Sequence, residues 1–261
     1  LAMKTGKRTI FTIAPPLGDD GSETTFPFIR TNSVSVIGNA DVPTLADAVE
    51  IARAIDGHVD VILVGTDRPW PEDEEGLAAI ARVVRHSEVL AYQDTGALIQ
   101  ALDAFIARVR STSHGVIGVV GAGVLGAHIA LSLASQGWQI RLWDDEFERV
   151  QEQVRALNRL LTTRLAGRVV AVRQLAELTQ NCSLLIGSRL GRPMLSREIV
   201  CGLPADAILI GIGGGSLAED AVQTAIALGM RVLRLDMRAG LSGQVMTVLE
   251  SKELWEKVMG R

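Results

Sequence analysis

The chain places Gly121, Ala122, Gly123, Val124, Leu125 and Gly126 directly after an apolar run at Val116–Val120 and ahead of a segment with helical character. Glycines at that spacing between a strand and a helix suit a dinucleotide. The first permits the tight turn, the second lets a pyrophosphate approach bare backbone, and the third lets helix and strand pack closely. The helix N-terminus then offers unpaired N–H groups and the positive end of its dipole to the phosphates. A second run, Gln139–Trp143, ends at Asp144, about 20 residues on, where a carboxylate accepts hydrogen bonds from the adenosine ribose hydroxyls. Asp145 and Glu146 follow, and the nearest arginines in sequence are Arg141 and Arg149. A 2′-phosphate would meet like charge there, so the pattern predicts NAD in preference to NADP.

Two later loops belong to the same reading. Ser188 and Arg189 follow the run CSLLIG, and Gly213 and Gly214 follow AILIGI. In an open parallel sheet ligands lie beyond the carboxyl ends of the strands, so both loops are expected to face the nicotinamide. Gly213 to Gly215 read equally well as a plain loop before a helix cap at Ser216.

The elements that must hold these residues follow from periodicity. Short β-branched runs recur as RTIFTIA, SVSVIG, VDVILVG, GVIGVVG, WQIRLW, RVVAV, CSLLIG, AILIGI and RVLRLD. Between most of them lie apolar residues at helical spacing, such as Leu45, Ala48, Val49, Ala52 and Ile55, and this alternation predicts an α/β fold with parallel sheets covered on both faces. Three runs before residue 70 would fill a small N-terminal sheet, and the glycine pattern opens a second, doubly wound sheet of Rossmann type. The segment 95–110 would link the two, giving a substrate domain at 3–111 and a dinucleotide-binding domain at 112–243. A last helix at 244–261 has Val245, Val248, Leu249 and Leu254 with which to pack back on the first domain.

In a two-domain dinucleotide-binding protein a small ligand lies in the groove, so the first domain's strand ends should supply its contacts. Thr66, Asp67 and Arg68 follow VDVILVG at one such end. Asp67 can hold an ammonium group or take a proton, and Arg68 can clamp a carboxylate; a solvated turn closed by Pro69 and Pro71 is the equal alternative. Asn32, Ser33 and Asn39 flank the preceding run as weaker candidates. His58, His86, His114 and His128 have no metal-ligand spacing, so no metal is expected. The four tryptophans read as packing residues, and the acidic run PEDEEG as an exposed helix start.

Several of these residues carry a resemblance. AYQDTGALIQAL resembles the turn and linking helix of shikimate dehydrogenases, with Tyr92 and Gly96 at the ends of their Tyr-Asn-Thr-Asp-Gly, and Gln244 in DMRAGLSGQ is similar to their substrate-contacting glutamine. VDVILVGTDR followed by DTGALIQ looks like the last enzyme of pyrrolysine synthesis, a member of the wider group that includes amino-acid dehydrogenases. The resemblance implies a two-domain NAD(P)-dependent oxidoreductase in which Asp67, Asp94 and Gln244 act on the substrate and Arg68, Tyr92 and Gln93 bind it. The chain departs from the pattern in having lysine only at positions 4, 7, 252 and 257, and Thr95 where the shikimate enzymes place an aspartate. Lysine-assisted alcohol oxidation is therefore disfavoured against hydride transfer from an amine carbon or a methylene group, and an amino acid or amine is the expected substrate. A shikimate-type alcohol dehydrogenase and a non-catalytic NAD sensor are the alternatives.

Composition bounds the partners. Across 261 residues, 48% are hydrophobic and the formal net charge is −4, which predicts a small-molecule substrate rather than nucleic acid. Apolar runs fall short of the roughly 20 residues that span a bilayer, so no membrane association is expected. Cys182 and Cys201 form no CxxC motif, no secretory pattern opens the chain, and Leu1 and Ala2 before Met3 read as a remnant. A cytoplasmic homodimer is the expectation.

Overall fold

The computed structural model describes residues 6–16, 23–26, 29–33, 35–68, 70, 75–109, 115–162, 167–189, 194–212, 216–235 and 238–258. The chain divides into two compact units, Leu1–Ala97 with Gly240–Arg261, and Leu98–Ala239. The division falls inside the linking helix, which runs without a break and buries Leu98, Leu102 and Ile106 beyond the dividing point.

The first unit holds β1 (Arg8–Ala14), β2 (Ile29–Thr31), β3 (Ser35–Asp41), α1 (Leu45–Ile55), β4 (Val61–Gly65), α2 (Gly76–Val83), β5 (Glu88–Tyr92) and the first turn of α3 (Asp94–Val109). Its sheet runs β2-β3-β1-β4-β5, with β2 antiparallel to β3 and the other pairs parallel. Five strands stand where the apolar runs predict three. β2 is a short, largely exposed edge strand, and β5 is half-buried, so neither presents the continuous β-branched run that marks a central parallel strand.

Side chains alternate across a strand, and the two faces of this sheet differ. Ile13, Ala40, Ile62 and Val64 join Ala48 and Ala52 of α1 and Ala79 and Ile80 of α2 in an apolar cluster. Thr44 caps α1 by accepting from the Asp47 amide at 3.1 Å. On the other face Ile10, Ile37, Val61 and Leu63 pack against Leu241, Val245 and Leu249 of α9 (Arg238–Val258). The last helix thus packs against this sheet face and starts before Gln244. Gly240 and Gly243 make 238–243 read as loop, and the stripe Leu241, Val245, Leu249 overrides them by burial. The Leu254 side chain lies outside what the structure describes.

The second unit contains β6 (Val116–Val120), α4 (Val124–Ser135), β7 (Gln139–Trp143), α5 (Phe147–Leu160), β8 (Val169–Ala171), α6 (Leu175–Thr179), β9 (Cys182–Gly187), α7 (Arg197–Cys201), β10 (Ile208–Ile212), α8 (Glu219–Ala227) and β11 (Arg231–Leu235). All its strand pairs are parallel, in the order β11-β10-β9-β6-β7-β8. The order reverses between β9 and β6, the switch point at which doubly wound sheets bind dinucleotides.

Candidate functional site

At the switch point β6 runs into Gly121, whose φ of +103° lies in the left-handed region that glycine alone enters freely. Its amide donates to the Trp143 carbonyl at 2.9 Å, tying the turn to β7. A Cβ on Gly126 would stand 1.8 Å from the Gly121 carbonyl oxygen, so the third glycine is demanded by the fold itself. Gly123 is different. It precedes α4 in extended backbone that any residue adopts, and a Cβ there would meet nothing within 4 Å. The protein leaves that space open at the N-terminus of a helix, next to Val124, an apolar side chain 71% exposed. An open cradle of backbone N–H groups beside an exposed apolar side chain fits a dinucleotide pyrophosphate. Ala122 is buried beneath it and Leu125 half-buried.

Asp144 stands buried at the end of β7. One carboxylate oxygen accepts from the Ala122 amide at 2.6 Å and the other from the Asp145 amide at 2.7 Å, so the acid braces the glycine turn. Arg149 reaches it at 3.2 Å and Arg189 at 3.6 Å, with Arg189 also 3.8 Å from Asp145. The Arg189 side chain turns toward the Asp144 and Asp145 carboxylates at the end of β7, drawn by the paired charges. The acid is also flanked by two guanidinium groups, so like charge alone does not exclude a 2′-phosphate; Arg141 instead donates to the carbonyls of Glu177 and Gln180. Ser188 is buried, and its hydroxyl lies 3.0 and 2.9 Å from the Val120 and Gly121 carbonyls, stapling β9 to the turn. Gly213 and Gly214 lie outside the described residues.

In the first unit a polar cluster occupies the carboxyl ends of the strands. The face that packs on α9 is apolar at its amino end, Ile10 beside Ile37 and Val61, and turns polar toward the other end, where Thr12 pairs with Asn39 and Ala14 with Asp41. Thr12 and Asn39 are buried, and the buried Tyr92 hydroxyl bonds the Thr12 side chain. Burial pushes the Tyr92 phenol up, against the pull of the Arg68 charge, so it stays protonated. Burial likewise raises the Asp41 carboxyl, with Arg68 opposing, and lowers Arg68, which Tyr92, Asp67 and Asp41 counter.

The sequence candidates fall around this cluster unevenly. Asp67 accepts from the Asp94 amide at 3.1 Å and the Thr95 amide at 2.6 Å, using its two oxygens to cap α3, a task its position after a strand does not announce. Arg68 forms an ion pair with Asp94. Thr66 bonds the Tyr92 carbonyl. The Gln244 amide approaches Gly96 so closely that a Cβ there would come within 3.4 Å of it. Gln93 points out, its side chain exposed and its carbonyl accepting from Ala97. Asn32 closes the turn into Ser35 at the amino end of β3, and Ser33 lies beside it, away from the cluster. His58, His86 and His128 stand elsewhere and His114 lies outside the described residues; among those residues no group of three metal-ligating side chains comes together. Asp41 and Thr12 were missed. Reading the β3 run on through Gly38-Asn39-Ala40 would have placed Asp41 at a strand's carboxyl end, but Gly, Asn and Asp argue against a strand.

The comparisons bear first on the second unit. Residues 116–185 match the NAD-binding domain of 3-hydroxyacyl-CoA dehydrogenase. The match runs from β6 into β9 and takes in the glycine turn and Asp144. No curated protein matches the chain. Among solved structures, quinate dehydrogenase from Corynebacterium glutamicum in complex with NAD is similar over 87% of each chain, with 14% identity and a TM-score of 0.51. Ornithine carbamoyltransferase from Pyrococcus furiosus is similar over 94% of this chain and 85% of that one, with 11% identity and a TM-score of 0.50. Shikimate 5-dehydrogenase from Thermus thermophilus in complex with shikimate covers 87% and 86%, with 14% identity and a TM-score of 0.48. At these identities the first two establish a shared two-unit α/β fold. Among the described residues no helix is long and apolar enough to cross a membrane.

Proposed function

We propose that the protein is an NAD-dependent oxidoreductase acting on a small amino-acid or amine metabolite. The observation that carries the substrate class is the sign of the charge at the carboxyl ends of the first sheet. There the guanidinium of Arg68 is paired with Asp94 and also feels the charges of Asp67 and Asp41. A net negative, largely buried cluster favours a cation, and an amine is the cation a hydride-transfer enzyme can oxidise. The bound dinucleotide supplies the hydride acceptor at nicotinamide C4.

The chain's own residues do the remaining work. Gly121, Gly123 and the α4 amides hold the pyrophosphate, and Asp144 accepts the ribose hydroxyls, its bond to the Ala122 amide fixing the distance between the two contacts. Asp94 accepts the proton that an ammonium group sheds before its carbon is oxidised. Asp67 holds the first turn of α3 in place, and Gln244 hydrogen-bonds the substrate beside Gly96. Among the described side chains the lysine is Lys7, which donates to the Asn32 carbonyl at the amino end of the sheet, away from this cluster.

The same reading makes the protein a homodimer in the cytoplasm. Free Cys182 and Cys201 support a reducing compartment, and the exposed Ile29 on edge strand β2, with the exposed Phe26, supports self-association. Reduction of NAD, followed by nicotinamide absorbance against a panel of amino acids and amines, tests the activity. Tight NADH binding without turnover on any amine, hydroxy acid or folate-like carrier would make it a sensor, and faster turnover on hydroxy acids a shikimate-type enzyme. Sedimentation tests the dimer.

A further inference from the structure

The Arg68–Asp94 pair is buried but not closed. The Asp94 side chain is 1% exposed and that of Arg68 19%, and they meet through one nitrogen and one oxygen, Nη2 and Oδ2. The Nε and Nη1 donors of Arg68 and the Oδ1 acceptor of Asp94 are buried without a hydrogen-bond partner among the described residues. A purely structural ion pair offsets its desolvation only when neighbouring groups satisfy the remaining donors and lone pairs. Here the unsatisfied atoms are complementary in kind, donors on the cation and an acceptor on the anion, side by side at the carboxyl end of a parallel sheet.

We propose that this pair is the receptor for the head group of a free α-amino acid, Arg68 taking its carboxylate and Asp94 its ammonium. The assignment rests on the reading that the first unit receives the substrate, and it narrows that reading. A plain amine would satisfy Asp94 and leave the Arg68 donors bare. A plain carboxylate would satisfy Arg68, leave Oδ1 of Asp94 bare, and add negative charge beside Asp41 and Asp67, both of which already act on Arg68. Only a group carrying both charges on one carbon closes the pair from both sides. The nearest rival receptor for the carboxylate, the N-terminus of α3, is taken, because its Asp94 and Thr95 amides already donate to Asp67. The unsatisfied groups are buried and already desolvated, so the two side chains must part to admit the amino acid, which then gains their hydrogen bonds without stripping their water.

The test is calorimetric titration of the full chain with each of the protein amino acids, and with the decarboxylated amine and the 2-hydroxy acid corresponding to whichever binds. At least one amino acid binds, and its amine and hydroxy-acid counterparts bind about 10- to 100-fold more weakly, the range expected for leaving one buried partner bare. Arg68→Met weakens the amino acid to the level of its amine, and Asp94→Asn to the level of its hydroxy acid. Should the single variants not fold, Arg68→Met with Asp94→Leu removes the pair without leaving a lone buried charge, and it must abolish amino-acid binding while NAD affinity stays unchanged. Failure of every amino acid to bind, equal affinity for an amine or hydroxy acid, or retained binding in the double variant overturns the proposal. NAD binding, titrated separately, keeps the two readings apart: amino-acid binding without NAD binding sinks the oxidoreductase and leaves the head-group receptor standing.

Discussion

The two units build their candidate sites at the same place in a parallel sheet, beyond the carboxyl ends of the strands, from opposite materials. In the second unit the working surface is backbone. Gly121 is in a left-handed conformation, Gly126 has no room for a side chain, Gly123 is left open, and one buried acid, Asp144, braces the turn. In the first unit it is side chains, Asp41, Arg68, Tyr92 and Asp94, gathered from several strands and the start of a helix. A phosphate is bound well by amides that every residue carries, so local sequence needs only to clear space. A small metabolite is recognised by particular side chains, which only strand register brings together.

The largest effect should come from filling the open cradle. Gly123→Val introduces a side chain that meets nothing in the fold, so the melting temperature should stay near that of the parent protein, while NAD affinity falls about 100-fold or more, about 2.7 kcal/mol. Calorimetry with NAD checks it, and an unchanged dissociation constant would remove the backbone site from the comparison. Gly126→Val is the contrasting variant. Its Cβ collides with the Gly121 carbonyl, and it should lose stability as well as affinity.

Asp67→Ala probes the side-chain site next. Two amides of α3 lose their acceptor, so unfolding free energy should drop by about 2 kcal/mol and kcat/KM should fall, with NAD affinity intact. Normal stability and normal turnover together would reduce the acidic loop to a solvated turn. Asp144→Asn should act more gently, weakening NAD about tenfold and narrowing its advantage over NADP as Arg149 and Arg189 are freed from a carboxylate. A parent enzyme that already prefers NADP in kinetic assays would show that the two arginines, not the acid, read the ribose.

The smallest effect lies outside both sites and calibrates them. Asp56 accepts from the Arg85, His86 and Ser87 amides. Desolvation would raise its carboxyl, but those three bonds and the neighbouring His86 outweigh it and hold the group at about 2 against an ordinary 3.8. Because the folded value lies below the unfolded one, its contribution is present above pH 3.8 and is lost as pH falls toward about 2. Asp56→Asn should flatten the melting temperature's dependence on pH across that window and leave ligand binding alone; an unaltered slope would mean that the three amide bonds do not stabilise the folded state.

What could be read from the chain alone is what depends on neighbours in sequence. The glycine turn, the acid that ends β7, the alternation of strand and helix and the apolar stripe of the last helix are all local patterns, because backbone geometry and amphipathic spacing are properties of contiguous residues. Register, handedness of approach and burial are not. That Asp41 lies beside Ala14 and the Asp67 carboxylate caps a helix opening at residue 94 depends on which strand pairs with which. The same holds for Arg68 turning to Asp94 and Arg189 to Asp144. Charged side chains settle on whatever partner the folded chain brings within a few ångströms in a poorly solvated place, and the sequence names the charges without naming the distances.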